Sequence, residues 1–224
     1  MGGRTARWLG PNEARGRDER MAMAVLGIGG VIGAALLALL TATLIAPPFR
    51  LWPTPGPGTW QSYVFWPLFR SLNVLCVVAA IIDREPLVGL PLWSRAVAVA
   101  VLAVAIVLFA YSFRILGREN SYCATDGLVT HGIYQWSRNP QNAMLIVFYV
   151  ALAFAADSVT AFALCAAMVA VYHFMMLAEE PWLEGIYGDA YRAYCRAVPR
   201  YFNWRRLWSQ PTRGENAEMR DAGH

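Results

Sequence analysis

Apolar residues in this chain come in blocks of membrane-span length, not at the period of a half-exposed helix or strand. Met21–Ala46 is almost purely apolar, and Gln61–Ile82, Arg95–Leu116 and Val159–Ala178 repeat the pattern. About 20 such residues let a helix cross the hydrocarbon core of a bilayer. A fifth block, Asn142–Ala156, is short for a crossing, and only Asp157-Ser158 separates it from the next. It predicts either a thin span or half of a tight hairpin, with the outer ends at Asn142 and Glu179 on one side.

The stretches between blocks are turn-rich. Pro47–Trp60 holds five prolines and two glycines, so neither helix nor strand persists through it. Asp83–Ser94, with Pro86 and Pro91, is a second connection, and Gly117–Arg138 is the longest polar loop between blocks. Beyond Glu180 the chain turns amphipathic, with Tyr187, Tyr191 and Tyr194 on one helical face and Arg192, Arg196 and Arg200 interleaved. That pattern predicts a helix along the membrane surface. The expected fold is therefore all-α: a polytopic membrane protein of about five transmembrane helices, with a C-terminal helical hairpin and an amphipathic cytosolic helix. Residues 1–20 are expected to be a mobile tail, 21–116 a three-span scaffold, 117–206 the region of loop, hairpin and surface helix that bears the chemistry, and 207–224 a disordered tail.

Composition agrees with this division. Of 224 residues, 57% are hydrophobic and 15% charged, whereas a soluble domain of this size needs more charge to cover its surface. The first block is too long for a signal peptide, and no small-x-small cleavage site follows it. All 19 basic residues are arginine. They flank the apolar blocks, where anionic lipid and the positive-inside effect account for them, and there is no nucleic-acid signature. Five spans put the N-terminal tail opposite the 117–138 loop and the C-terminus. More arginines lie on the latter side, which is expected to face the cytosol, as in a bacterial inner-membrane protein. The four cysteines are far apart and form no CxxC pair, so neither a disulfide framework nor a metal site is expected.

Chemistry-bearing residues concentrate at His131–Asn142 and at Glu179-Glu180. Gly132 permits close backbone approach, Tyr134 and Trp136 offer flat faces, and Arg138 offers a planar fork suited to a carboxylate. Asn139-Pro140 ends the loop, and the helix beyond it presents free amide donors to an anionic group. Glu179 and Glu180 precede Pro181 and are expected at a helix break. There they either accept hydrogen bonds and balance a cation, or mark a solvated helix end paired with Arg138 or Arg196. His173 lies two turns before Glu180 on the same face, with Met176 close by. Arg70, in the middle of the second block, is either a binder of an anionic group or a snorkelling side chain.

Gly132-x-Tyr134-x-x-x-Arg138-Asn139-Pro140, then about forty residues, then Glu179-Glu180-x-x-Leu183-x-x-x-Tyr187-Gly188-x-x-Tyr191-x-x-Tyr194-x-x-x-Val198-Pro199-Arg200 resembles the C-terminal signature of the isoprenylcysteine carboxyl methyltransferase and phospholipid methyltransferase superfamily. Its members are integral membrane enzymes that use S-adenosyl-L-methionine. The resemblance covers about the last third of the chain. It implies that Gly132, Tyr134, Arg138, Asn139, Pro140, Asn142, Glu179, Glu180, Tyr187 and Tyr191 hold the cofactor. It also implies that Tyr187, Tyr191 and Arg200 lie in the stretch that closes over the cofactor. Asn139 stands where the family has histidine, and Asn142 and Met144 where it has tyrosine and glycine.

In the chemistry so implied, the sulfonium activates the methyl carbon, and the protein aligns a nucleophile in line with it and excludes water. Arg138, Glu180 and His173 are the candidate catalytic residues, the last two as bases if the acceptor must lose a proton. Arg70 and Arg200 are candidates for substrate binding. The acceptor is expected to be a lipid or small lipophilic molecule bearing a carboxylate, thiol or amine. A membrane sterol-type reductase using NADPH shares an Arg-x-Pro element and is the competing enzyme class; a scaffold or transporter built on ion pairs is the non-enzymatic one.

Overall fold

The computed structural model describes residues 11–46, 48–117 and 127–208. Every regular element in that range is helical: α1 Pro11–Ile45, α2 Trp60–Ile82, α3 Leu92–Leu116, a single 3-10 turn Gly132–Gln135, α4 Pro140–Ala156, α5 Val159–Ala197 and the short α6 Arg205–Trp208. Four helices, α1, α2, α3 and α5, are long and apolar enough to cross a membrane. The 17 residues of α4 span about 25 Å, short of a hydrocarbon core of roughly 30 Å. The polytopic all-α architecture is thus as expected, with α4 as the short half of a hairpin.

Two boundaries differ from the sequence reading. Helix α1 begins at Pro11 inside the expected tail; an Arg15–Glu19 pair one turn apart and an Arg15–Glu85 contact at 2.9 Å support its polar first turns. Residues 1–10 lie outside the described part, as do 209–224 of the expected C-terminal tail. The helix also does not break after Glu179-Glu180. It runs through Pro181 to Gly188, the residue with φ 53° and ψ −126°, a conformation glycine adopts without steric cost. The amphipathic segment is therefore the far end of α5, bent at Gly188.

Helix α5 is the centre of the bundle, packed by α1, α2 and α4, while α3 packs chiefly on α4. Backbones approach closely where α1 crosses α5: a Cβ on Gly29 would lie 2.6 Å from Leu164, and one on Gly33 3.2 Å from Ala167. Small residues four apart are how helices pack when lipid supplies no hydrophobic drive. Leu36, Leu40, Phe65, Leu72, Leu164 and Met168 fill the core that follows.

At the end of the bundle away from the functional loop, Asp157 joins two connections. It terminates α4 in the left-handed region at φ 54°. Its buried carboxylate accepts hydrogen bonds from Val88 N at 3.1 Å and Leu90 N at 2.7 Å, and Arg95 donates to the α4 carbonyl of Ala155 at 2.9 Å. Burial raises the Asp157 carboxyl, but the Leu90 and Val88 amides and the Arg95 charge outweigh it, so the group sits below the ordinary carboxylate range. A depressed folded-state pKa contributes stability above the unfolded value of about 4, lost as pH falls through the folded value. The thermal midpoint of the detergent-solubilised protein should therefore fall between pH 5 and pH 3 (roughly the range bracketing these values). Asp157→Asn, which tolerates the left-handed backbone, should start lower and show less of this acid dependence.

Candidate active site

The functional loop is stitched to the end of α5 and the strand-like segment after it. Arg138 N donates to Pro199 O at 3.0 Å, and Asn203 N donates to Trp136 O at 2.7 Å. Ser137 Oγ donates to Arg200 O at 3.0 Å, and the Tyr194 hydroxyl donates to Tyr134 O at 2.6 Å. Glu180 provides the charge that holds this joint. Its carboxylate takes both arms of Arg200, Nε at 2.8 Å and Nη2 at 2.6 Å, and Arg138 Nη2 at 3.2 Å. The Arg138 and Glu180 side chains are only 12% and 16% exposed, so the triad is largely shielded from solvent. Arg138 Nη1 also donates to Cys195 Sγ.

Beneath this joint lies a cavity of about 320 Å³, within the range of roughly 300–1,000 Å³ of small-molecule sites. Its polar wall is Arg138, Asn139, Gln141, Asn142 and Glu179, and Tyr134, Tyr187, Tyr191 and Tyr194 close one side. Its apolar wall comes from elsewhere: Trp52 from the α1–α2 loop, Trp66 and Phe69 from α2, and Phe109, Phe113 and Leu116 from α3. Helix α5 contributes Tyr172, Met175, Glu179, Trp182 and Leu183, a stripe at helical spacing.

That stripe separates the two glutamates. Successive helical residues point about 100° apart, so Glu179 enters the cavity while Glu180 turns to the arginines. His173 is on Glu180's side, its ring stacked on Tyr201 and hydrogen-bonded to the Tyr201 hydroxyl. The sequence expectation of one face carrying His173, Met176 and Glu180 over the site is corrected by one residue to Tyr172, Met175 and Glu179. Among the expected site residues, Tyr134, Arg138, Asn139, Asn142, Glu179, Tyr187 and Tyr191 line the cavity. His173, Glu180, Arg70 and Arg200 do not, and neither do Gly132 and Pro140. Gly132, at φ 61°, serves packing: a Cβ there would lie 2.9 Å from Ile115 Cδ1. Pro140 is fully buried at the first position of α4. The upstream aromatics fall in the expected scaffold, because an aromatic in an apolar span has the same sequence appearance whether it faces core, lipid or cavity.

Among the described residues, three buried donors have no hydrogen-bond partner: Trp52 Nε1, Arg138 Nε and Asn139 Nδ2. All three residues line the cavity. Trp52 is 5% and Asn139 9% exposed, so desolvating these groups has a cost that a ligand with acceptor atoms would offset. The Trp52 N–H lies close to the Glu179 carboxylate without hydrogen-bond geometry. Burial, with a smaller contribution from Tyr194, pushes the Tyr134 hydroxyl well above its ordinary range, so it remains a neutral donor.

Residues 93–190 match the family model of phospholipid methyltransferases. Over these residues the chain is similar to the phospholipid methyltransferase family. No curated protein matches the chain, and no solved structure does. The match bears out the superfamily resemblance and runs from α3 through the kink at Gly188, taking in the polar wall and the α5 stripe. Similarity to that family implies methyl transfer on a membrane substrate. Helices α1 and α2, with Trp52, Trp66 and Phe69, lie outside the matched segment, as does Arg200.

Substitutions at Gly132, Ile115, Glu180 and Arg200 test this arrangement. Gly132→Ala should destabilise by about 1–3 kcal/mol, from positive φ together with the Ile115 clash, and Ile115→Ala should relieve only the clash. Glu180→Gln should cost on the order of 2 kcal/mol by leaving two arginines facing a neutral amide. In a thermal-melt cycle, Glu180→Gln with Arg200→Ala should cost less than the sum of the single changes.

Proposed function

We propose that the cavity binds S-adenosyl-L-methionine and that the protein transfers its methyl group to a lipophilic acceptor drawn from the bilayer. The observation that carries this reading is the pairing of three unpartnered buried donors with one carboxylate, Glu179, inside an aromatic-walled cavity. That set suits a ligand with acceptor atoms, a flat ring and a cationic centre. When bound, the cofactor supplies a methyl carbon activated by positive sulfur. Asn139 and Trp52 would donate to its acceptor atoms, Glu179 would balance its positive charge, and the tyrosines would pack its flat surface and exclude water.

Arg138 and Glu180 keep their place in this reading as positioning residues, since the Arg138–Glu180–Arg200 triad fixes the loop that carries Asn139. Glu180 has both oxygens occupied by guanidinium groups and His173 faces Tyr201, so neither is the base. If the acceptor must lose a proton, Glu179 is the carboxylate within the cavity. The apolar wall of α2 and α3 would receive the acceptor's hydrocarbon, and the loop side would face the cytosol, where the cofactor is made available.

Equilibrium binding of tritiated S-adenosyl-L-methionine to the detergent-purified protein tests the reading. Saturable binding is expected, with Glu179→Gln and Asn139→Ala each weakening it about tenfold or more, while their melting temperatures stay close to that of the unaltered protein. Saturable NADPH binding without S-adenosyl-L-methionine binding would instead identify a reductase.

A further inference from the structure

The end of the bundle away from the functional loop holds another cavity, of about 310 Å³ and polar in its lining. Asp83 and Arg84 reach it from the end of α2, Arg95 from the first turn of α3, and Asp157 from the turn between α4 and α5. The 17 residues of α4 separate it from Asn139, about 25 Å along the helix. A molecule bound here is out of reach of the cavity beneath the loop.

The two carboxylates of this cavity are committed to backbone amides. Asp157 accepts from Val88 N on one oxygen and Leu90 N on the other; Asp83 accepts in the same way from Glu85 N at 3.2 Å and Thr160 N at 3.1 Å. The guanidinium groups are less engaged. Arg95 uses Nε and Nη2 on the carbonyls of Ala155 and Ala156, which leaves its Nη1 group. Arg84 is exposed and makes no hydrogen bond among the described residues, and neither arginine makes an ion pair there.

Acceptors in use beside donors left over suit a ligand that brings oxygen atoms. Guanidinium forks bind phosphate oxygens through paired hydrogen bonds. The two aspartates balance the two arginines in charge, so a singly charged group fits better than a multiply charged one, and a phosphodiester carries one charge. The surroundings point to its source. Leu87, Val88, Leu92 and Trp93, on the connection that carries Arg84 into α3, are all exposed, and tryptophan beside a span marks the headgroup level of a bilayer. A soluble anion has no use for that apolar rim, whereas the chains of a lipid would cover it.

We infer that Arg84 and Arg95 form a phosphodiester site at this end of the bundle, filled by the headgroup of a lipid that serves as a structural ligand and not as the acceptor of a methyl group. The site joins the α2–α3 connection to the turn between α4 and α5, so its occupation holds the two connections together and stabilises the fold. It stands apart from the cofactor reading.

Native mass spectrometry and thermal melts of the full chain in detergent test it, with dioleoylphosphatidylglycerol, dioleoylglycerol and inorganic phosphate as probes. The unaltered protein should hold the phospholipid about tenfold more tightly than the diacylglycerol, and its melting temperature should rise with the phospholipid alone. Arg84→Gln should melt like the unaltered protein without lipid, because Arg84 makes no contact to lose, yet should show neither the preference nor the rise. Arg84→Lys should keep part of both. Equal retention of the two lipids by the unaltered protein, or an unchanged preference in Arg84→Gln, would overturn the site. Displacement of the phospholipid by millimolar inorganic phosphate would overturn the lipid as its occupant and assign the same two arginines to a soluble anion.

Discussion

One carboxylate held by two guanidinium groups determines the shape of this site. Glu180 is reached by Arg138 from the loop before α4 and by Arg200 from the segment after α5, so three pieces of chain distant in sequence meet at a single negative charge. Shielding from water makes the attraction strong and makes any missing partner costly. Around it the backbone bonds of Arg138 with Pro199, and of Trp136 with Asn203, fix the loop in the orientation that turns Asn139 into the cavity. The Arg200 guanidinium, held by the Glu180 hydrogen bonds, is stabilised further in its charged form.

The opposite end of the bundle repeats the strategy with fewer parts. Asp157 bonds the amides of the α2–α3 connection, and Arg95 donates to the last carbonyls of α4. With its two ends pinned, α4 can be shorter than the hydrocarbon is thick, and its N-terminus is brought beneath the polar loop where the cavity opens. Helices α2 and α3 each turn aromatic side chains, Trp66 and Phe69 from one and Phe109 and Phe113 from the other, into the cavity.

The fold was largely legible because block length and spacing of apolar residues dictate spans directly. The hairpin at Asp157-Ser158 could be read from a polar pair between two apolar blocks. Less could be read where a property depends on side-chain direction. Glu179 and Glu180 are neighbours in sequence, yet one faces the cavity and the other an ion triad, and the resemblance treats them as one motif. Pro181 suggested a break that the helix passes through, while the bend falls at Gly188, where a positive φ is available only cheaply to glycine. Trp52, Trp66, Phe109 and Phe113 were illegible because nothing in an apolar run distinguishes a cavity wall from a lipid face. Gly132 carried a family expectation of cofactor contact, and its geometry gives it a packing reason instead.

In the function proposed for this cavity, a methyl group leaves a cofactor beside Glu179 for a molecule that enters from the bilayer. The most direct measurement is mass spectrometry of membrane lipids and small thiols after incubating the purified protein and native membranes with S-adenosyl-L-methionine carrying a deuterated methyl group. The expected result is a lipid bearing the deuterated methyl, formed with the unaltered protein and absent with Glu179→Gln. No labelled lipid or thiol with a folded protein would contradict the assignment of this cavity as a methyl-transfer site.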